Sequence, residues 1–125
     1  MAPRLALIFA SALLFIAVAA GAFGAHALKG MLSQDMLAVY QTAVQYHFWH
    51  ALGLLGVGVL LTLRPDNGSL AAAAWLLVIG VLLFSGSLYV LALTGVRGLG
   101  AVTPFGGVAF LAGWAVLVWA ISRAG

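Results

Sequence analysis

Three histidines carry most of the reactive chemistry in this chain: His26, His47 and His50. His47 and His50 stand three residues apart, which on a helix places them on one face. A third imidazole at similar depth on a neighbouring helix would complete a three-nitrogen site for a metal such as copper. A pair of them would suit the axial positions of a haem. The same rings can also carry a proton or contact a ligand, or hydrogen-bond their neighbours and fix helix packing. All of these readings stand on sequence alone. Ser85, Ser87, Tyr89 and Thr103 supply the hydroxyls that such a cluster would use.

No catalytic constellation accompanies them. Ser85-Gly86-Ser87 lacks the G-x-S-x-G frame of a nucleophile elbow. Gly98-Leu99-Gly100 is too short for a phosphate loop. Cysteine is absent, which removes thiolate metal sites, thiol nucleophiles and disulfides. No enzyme activity and no cofactor are therefore expected.

The elements that must position these residues follow from composition. Of the 125 residues, 66% are hydrophobic and 6% are Asp, Glu, Lys or Arg, against about 25% charged in a typical soluble domain. Seven charges cannot cover a soluble globule. A soluble enzyme, a disordered chain and a nucleic-acid binder working through a basic patch are all excluded, since the basic residues are spread singly. A single integral membrane domain remains, with the lipid bilayer as its first partner. Uncharged runs predict spans at about residues 5–25, 46–63, 70–93 and 104–122, each near the ~20 residues that a crossing requires. In lipid every backbone group must be satisfied within its segment, so each run must be a helix. The first run also has a small-residue pattern at Ala17-Val18-Ala19, but its apolar character continues to Ala25. A retained span is expected rather than a signal peptide. The fold class is all-α, a four-helix transmembrane bundle in antiparallel up-down topology.

The connections carry their own punctuation. Ser33 is placed to cap a helix from Gln34 that runs on into the second span, with Gln34, Asp35, Gln41 and Gln45 at the membrane surface or packed on the bundle. Pro65 and Asn67-Gly68 make a tight turn. Residues 94–100 read as a glycine-rich loop, and Thr103-Pro104 as an N-cap followed by N1. With four spans the termini share a side. Arg4, Arg64 and Arg123 lie there against Lys29 and Arg97 on the other, so the positive-inside rule predicts cytoplasmic termini. Trp75 and Trp119 fall near the terminal side, and Tyr46, Trp49, Tyr89 and Phe105 toward the other, as interfacial belts would.

Folding this topology up brings His26, His47, His50, Ser85, Ser87, Tyr89 and Thr103 into one leaflet. They form a candidate ligand-binding cluster, with His26, His47 and His50 as the ligands if a metal binds. Gly21, Gly24, Gly53, Gly56, Gly86, Gly106 and Gly107 lie on the four spans, where small residues let helix backbones approach. The expectation is a non-enzymatic protein that binds or transports a small ligand, lipid or ion through this cluster. Transport would require a homo-oligomer, since four short helices leave little room for a path. The rival is an accessory or assembly subunit of a larger membrane complex. The further rival is a copper- or haem-binding protein.

Four motifs in order, Gly21-Ala-Phe-Gly-Ala-His-Ala-Leu28, Tyr46-His-Phe-Trp-His-Ala-Leu52, Phe84-Ser-Gly-Ser-Leu-Tyr89 and Thr103-Pro-Phe-Gly-Gly107, span most of the chain. In them the sequence resembles domain of unknown function family 423, the YgdD/YwdK-like small membrane proteins. The resemblance implies four spans and, in bacteria, the inner membrane. It brings no activity with it. By resemblance His26, His50, Ser85, Ser87, Tyr89, Thr103 and Pro104 occupy its motif positions; His47 is not carried over.

Overall fold

A computed structural model describes residues 1–123. Helix α1 runs Pro3–His26, α2 Gln34–Leu63, α3 Gly68–Gly80, α4 Gly86–Thr94 and α5 Thr103–Ser122, and among the described residues there is no strand. A π turn at Val81–Ser85 joins α3 to α4 without a break, closing with Gly86 N–H on the Val81 carbonyl. Short 3-10 turns lie at Leu28–Gly30 and Arg97–Ala101. Four continuous segments, Pro3–His26, Gln34–Leu63, Gly68–Thr94 and Arg97–Ser122, are long and apolar enough to cross a membrane.

Each boundary has a chemical cause. Pro3 opens α1, where its missing N–H costs nothing. Ser33 Oγ accepts the Met36 N–H at 3.2 Å and starts α2. Pro65 follows the end of α2, and Asn67 Oδ1 then accepts the Leu70 N–H at 3.0 Å, so Asn67 caps α3 as well as making the turn. Gly95 ends α4 in the left-handed region at φ 74°, with its N–H on the Leu91 carbonyl.

The structure corrects two of the sequence expectations here. The stretch 94–100 is only partly loop, because Arg97–Ala101 coils as a 3-10 turn that leads into α5. Val102 is already in the right-handed helical region, so Thr103 is the first residue of α5 rather than its cap, and makes no capping bond. Its hydroxyl is spent elsewhere, on Ser87.

At ~1.5 Å per residue the 30 residues of α2 are about 45 Å long, more than the ~30 Å of a hydrocarbon core. Its first turns pack on the bundle: Tyr40 is buried with Leu28 and Ala92, and Leu37, Val39 and Val44 lie against them. The larger core holds Ala6 and Ala10 of α1, Leu54, Val57 and Leu61 of α2, Leu70, Ala74 and Leu77 of α3, and Phe110 and Ala120 of α5. Large apolar side chains such as Phe15 (78% exposed) and Leu111 (72%) face outward, the inverse of a soluble protein and the pattern a bilayer covers.

Helix α2 lies at the centre. It packs on α1, α3, the π turn and α4, whereas α1 rests mainly on α2, and α5 on α3 and the π turn. Across α1 and α2, Gly24 faces Tyr40, Gly21 faces Val44 and Gly58 faces Leu7; across α3 and α5, Gly113 faces Leu77, Gly80 faces Phe110 and Gly106 faces Phe84. One number falls as the other rises, the register of neighbours running in opposite directions.

Three glycines permit the tightest approaches. A Cβ on Gly106 would run into the backbone nitrogen of Phe84 in the π turn, one on Gly80 into the Phe110 ring and one on Gly24 into the Tyr40 ring. A Cβ on Gly53 would also meet a side chain, that of Trp114 at 2.7 Å. Gly56, Gly86 and Gly107, also expected to serve packing, leave more room: a Cβ on Gly56 would meet nothing within 4 Å, and one on either of the other two only atoms at 3.9–4.0 Å. Gly58, Gly80 and Gly113 hold close contacts that sequence reasoning passed over.

Candidate functional site

Burying a hydroxyl or imidazole in lipid is costly unless it finds a partner, and the central position of α2 determines where those partners come from. Tyr40 Oη donates to the Ala20 carbonyl of α1 at 2.5 Å. The Tyr40 ring meets the Tyr89 ring edge-on, centroids 5.4 Å apart. Tyr89 Oη in turn lies 2.8 Å from His47 Nδ1. His47 is 2% exposed, and its Nε2 is turned toward the Leu13 backbone of α1 without completing a hydrogen bond. This row of rings ties α1, α2 and α4 together.

A second set fastens the π turn and α4. Ser85, fully buried, donates to the Ala43 carbonyl of α2 at 2.8 Å. Ser87 Oγ lies 2.6 Å from Thr103 Oγ1 and also donates to the Phe84 carbonyl at 2.9 Å. These bonds join the segment on either side to α2 and to the start of α5.

His50 belongs to a third interface. Its Nδ1 is 2.7 Å from the Tyr46 carbonyl one turn back. A carbonyl only accepts, so Nδ1 carries the proton, and in the neutral ring Nε2 is left as a bare acceptor. The ring stacks on Phe110 with centroids 3.5 Å apart and planes 13° from parallel, with Tyr46 and Trp114 further out. Tyr46 packs on Phe84 at 4.4 Å. Beside this stack is a recess of about 410 Å³ lined by Tyr46, His50, Phe84, Pro104, Gly107, Val108, Phe110, Leu111 and Trp114. Its outer lip is the exposed pair Val108 and Leu111. Its volume is in the range of ~300–1,000 Å³ common for small-molecule sites.

The expected cluster is therefore split. His26, at the end of α1, is exposed and joins none of these groups. Among the described residues no three of His, Asp or Glu are grouped as metal ligands, so the three-histidine site is not assembled. His47 and His50 do not share an interface either. Three residues turn a helix by about 300°, leaving them ~60° apart, and around a helix with neighbours on several sides that is enough to direct one at α4 and the other at α5. An axial pair for haem is not formed. Ser85 and Tyr89 are spent on internal bonds, as are Ser87 and Thr103.

Sequence reasoning missed the aromatic wall. Tyr46 and Tyr89, expected in an interfacial belt, turn inward, and Phe84, Phe110 and Trp114 line the recess. The available signal was spacing: Phe110 and Trp114 stand four apart on α5, as do Tyr46 and His50 on α2. At the terminal side the Arg123 guanidinium lies 4.6 Å over the Trp119 ring.

A family profile described as "Protein of unknown function (DUF423)" matches residues 20–107. The chain is 50% identical over 103 residues to the UPF0382 membrane protein YwdK of Bacillus subtilis, covering 82% of this chain and 84% of that one. A UPF0382 membrane protein of Staphylococcus haemolyticus is 46% identical over 115 residues, 92% and 93% of the two chains. The UPF0382 inner membrane protein YgdD of Escherichia coli is 43% identical over 118 residues, 94% and 89%. No solved structure matches the chain significantly.

Proposed function

This chain belongs to the DUF423 family of membrane proteins, and on that premise we propose that it is a non-enzymatic inner-membrane protein that holds a small amphipathic ligand, lipid included, in the recess between α2 and α5. One observation carries the reading. His50 is 7% exposed, its Nδ1 is committed to the Tyr46 carbonyl, and its other nitrogen has no partner among the described residues, yet the side chain forms part of the wall of a recess. Unlike His47 Nε2, this nitrogen is not sealed inside the bundle; it is an acceptor left open, and a donor-bearing occupant of the recess would give it the hydrogen bond that acyl chains cannot. The buried hydroxyls favour binding over passage, because those of Tyr40, Ser85, Ser87, Tyr89 and Thr103 are each paired with a neighbouring helix rather than lining a path.

The test is native mass spectrometry of protein released from lipid nanodiscs. Wild type should retain a defined small molecule or lipid species, and Gly107→Leu, which fills the recess from one wall, should lose it. Wild type free of any such species, or a Gly107→Leu protein that keeps it, overturns the reading.

A second reading, an accessory subunit, is favoured by α1. It rests mainly on one neighbour, and its outer side has a shallow groove lined by Ser11, Leu14, Phe15, Val18 and Ala19. Co-purification of a defined larger complex that is lost when Ala19 is changed to Leu would support it; a homomeric particle from native membranes would not.

A further inference from the structure

The chemistry of the recess narrows what it would hold. Its only imidazole is His50, whose proton is fixed on Nδ1 by the Tyr46 carbonyl at 2.7 Å. The neutral ring can therefore accept at Nε2 but not donate. A complementary ligand must bring an O–H or N–H. Ketones, quinones and ethers bring only lone pairs: they could accept from the Tyr46 hydroxyl or the Trp114 N–H of the wall, but at His50 Nε2 two lone pairs would face each other, which low dielectric makes repulsive.

The wall contains no Lys or Arg. A phosphate or carboxylate headgroup would enter without a counter-charge, which is costly away from water. What the wall offers instead is four aromatic rings, Tyr46, Phe84, Phe110 and Trp114, within one small space. Rings of this kind favour a flat partner through offset or edge-on contact, worth about 0.5–1.5 kcal/mol a pair beyond area burial. The exposed lip of Val108 and Leu111 leaves an apolar exit toward the acyl chains, so a hydrocarbon tail need not fit inside.

Resting on the binding reading above, we infer that the recess selects an amphipathic molecule whose headgroup is a flat ring bearing a hydroxyl donor, the chemistry of a long-chain hydroquinone. His50 Nε2 accepts from the ring hydroxyl, the aromatic wall holds the ring plane, and the tail leaves past Val108 and Leu111. Gly107 keeps the slot open: a Cβ there would meet Phe84 only at 3.9 Å, so a larger side chain at this position occupies the space without forcing the helices apart.

The experiment uses full-length protein in phosphatidylcholine nanodiscs, with Trp49, Trp75 and Trp119 changed to Phe so that Trp114 alone reports. Two probes are titrated, a decyl-substituted hydroquinone and its dimethyl ether, which has the same ring and tail but no O–H. The hydroquinone should bind about tenfold more tightly, the scale of one buried hydrogen bond. His50→Leu should erase that difference, so that the two probes bind alike, and Gly107→Leu should block both probes. Equal affinities in the wild-type pocket overturn the donor assignment and leave the binding reading in place. If neither probe binds while native mass spectrometry still finds a retained lipid, the ring-headgroup class falls alone. If neither binds and nothing is retained, both fall.

Discussion

His47 and His50 are neighbours on one helix and strangers in space: His47 Nδ1 meets the Tyr89 hydroxyl of α4 at 2.8 Å, whereas His50 Nδ1 turns back to the Tyr46 carbonyl at 2.7 Å and lays its ring on Phe110 of α5. One imidazole therefore serves as a tie between helices. The other has its outward bond closed off locally and a free nitrogen beside a recess. The two should respond differently to substitution.

The tie can be measured. A double-mutant cycle of His47→Phe and Tyr89→Phe should give a coupling of about 0.6 kcal/mol and at most ~1.7, the span found for hydrogen bonds within membranes. Unfolding free energies in mixed detergent micelles supply the numbers. A coupling indistinguishable from zero would mean that the 2.8 Å contact holds nothing.

Adjacent glycines should behave oppositely. Gly106→Ala places a methyl on the Phe84 backbone, which cannot yield as a side chain can, and should cost about 1–3 kcal/mol with a clear drop in Tm. Gly107→Ala meets only ordinary van der Waals distances and should change stability by less than ~0.5 kcal/mol. Thermal denaturation in detergent, followed by size-exclusion chromatography, compares them directly.

Thr103→Val removes the hydroxyl that meets Ser87 at 2.6 Å, but Ser87 keeps its bond to the Phe84 carbonyl. No donor is stranded, so the cost should stay at the low end, about 0.5–1 kcal/mol. Ser85→Val should cost more, about 1–3 kcal/mol, because it both ends the bond to Ala43 and adds volume at a fully buried site. The same unfolding measurement orders the two.

Arg4, Arg64 and Arg123 against Lys29 and Arg97 leave an excess of one basic residue on the terminal side. A reporter fused to the C-terminus should read cytoplasmic, and adding two lysines beside Lys29 should weaken or reverse that signal. A periplasmic signal from the unaltered chain would overturn the assignment.

The spans, the Ser33 cap and the break at Pro65 were legible because charge, capping oxygens and proline act locally. The azimuth of each helix was not. In a soluble helix the polar face says which way is out, but here both the lipid side and the protein side are apolar, so hydropathy marks depth and not direction. That is why Tyr46 and Tyr89 read as belt residues and why Gly58, Gly80 and Gly113 were passed over in favour of Gly56 and Gly86. The candidate site suffered for the same reason. Its depth was placed from His50, Ser85 and Thr103, but which of them face one another depends on rotation about α2 and on the π turn.

That turn acts as a phase shifter. Gly86 reaches back five residues to Val81 instead of four, so everything after it is rotated relative to a plain α-helix. Winding 81–85 as plain α-helix with every residue kept would make the segment locally more regular. It would also rotate α4 by about 100° against α3, swinging Ser87 away from Thr103 and Tyr89 away from His47. A change that improves the local geometry should thus unfasten two helix contacts at once, whereas removing one residue along with it brings the contacts back into phase, which makes the irregular segment a timing mark for the whole polar half of the protein.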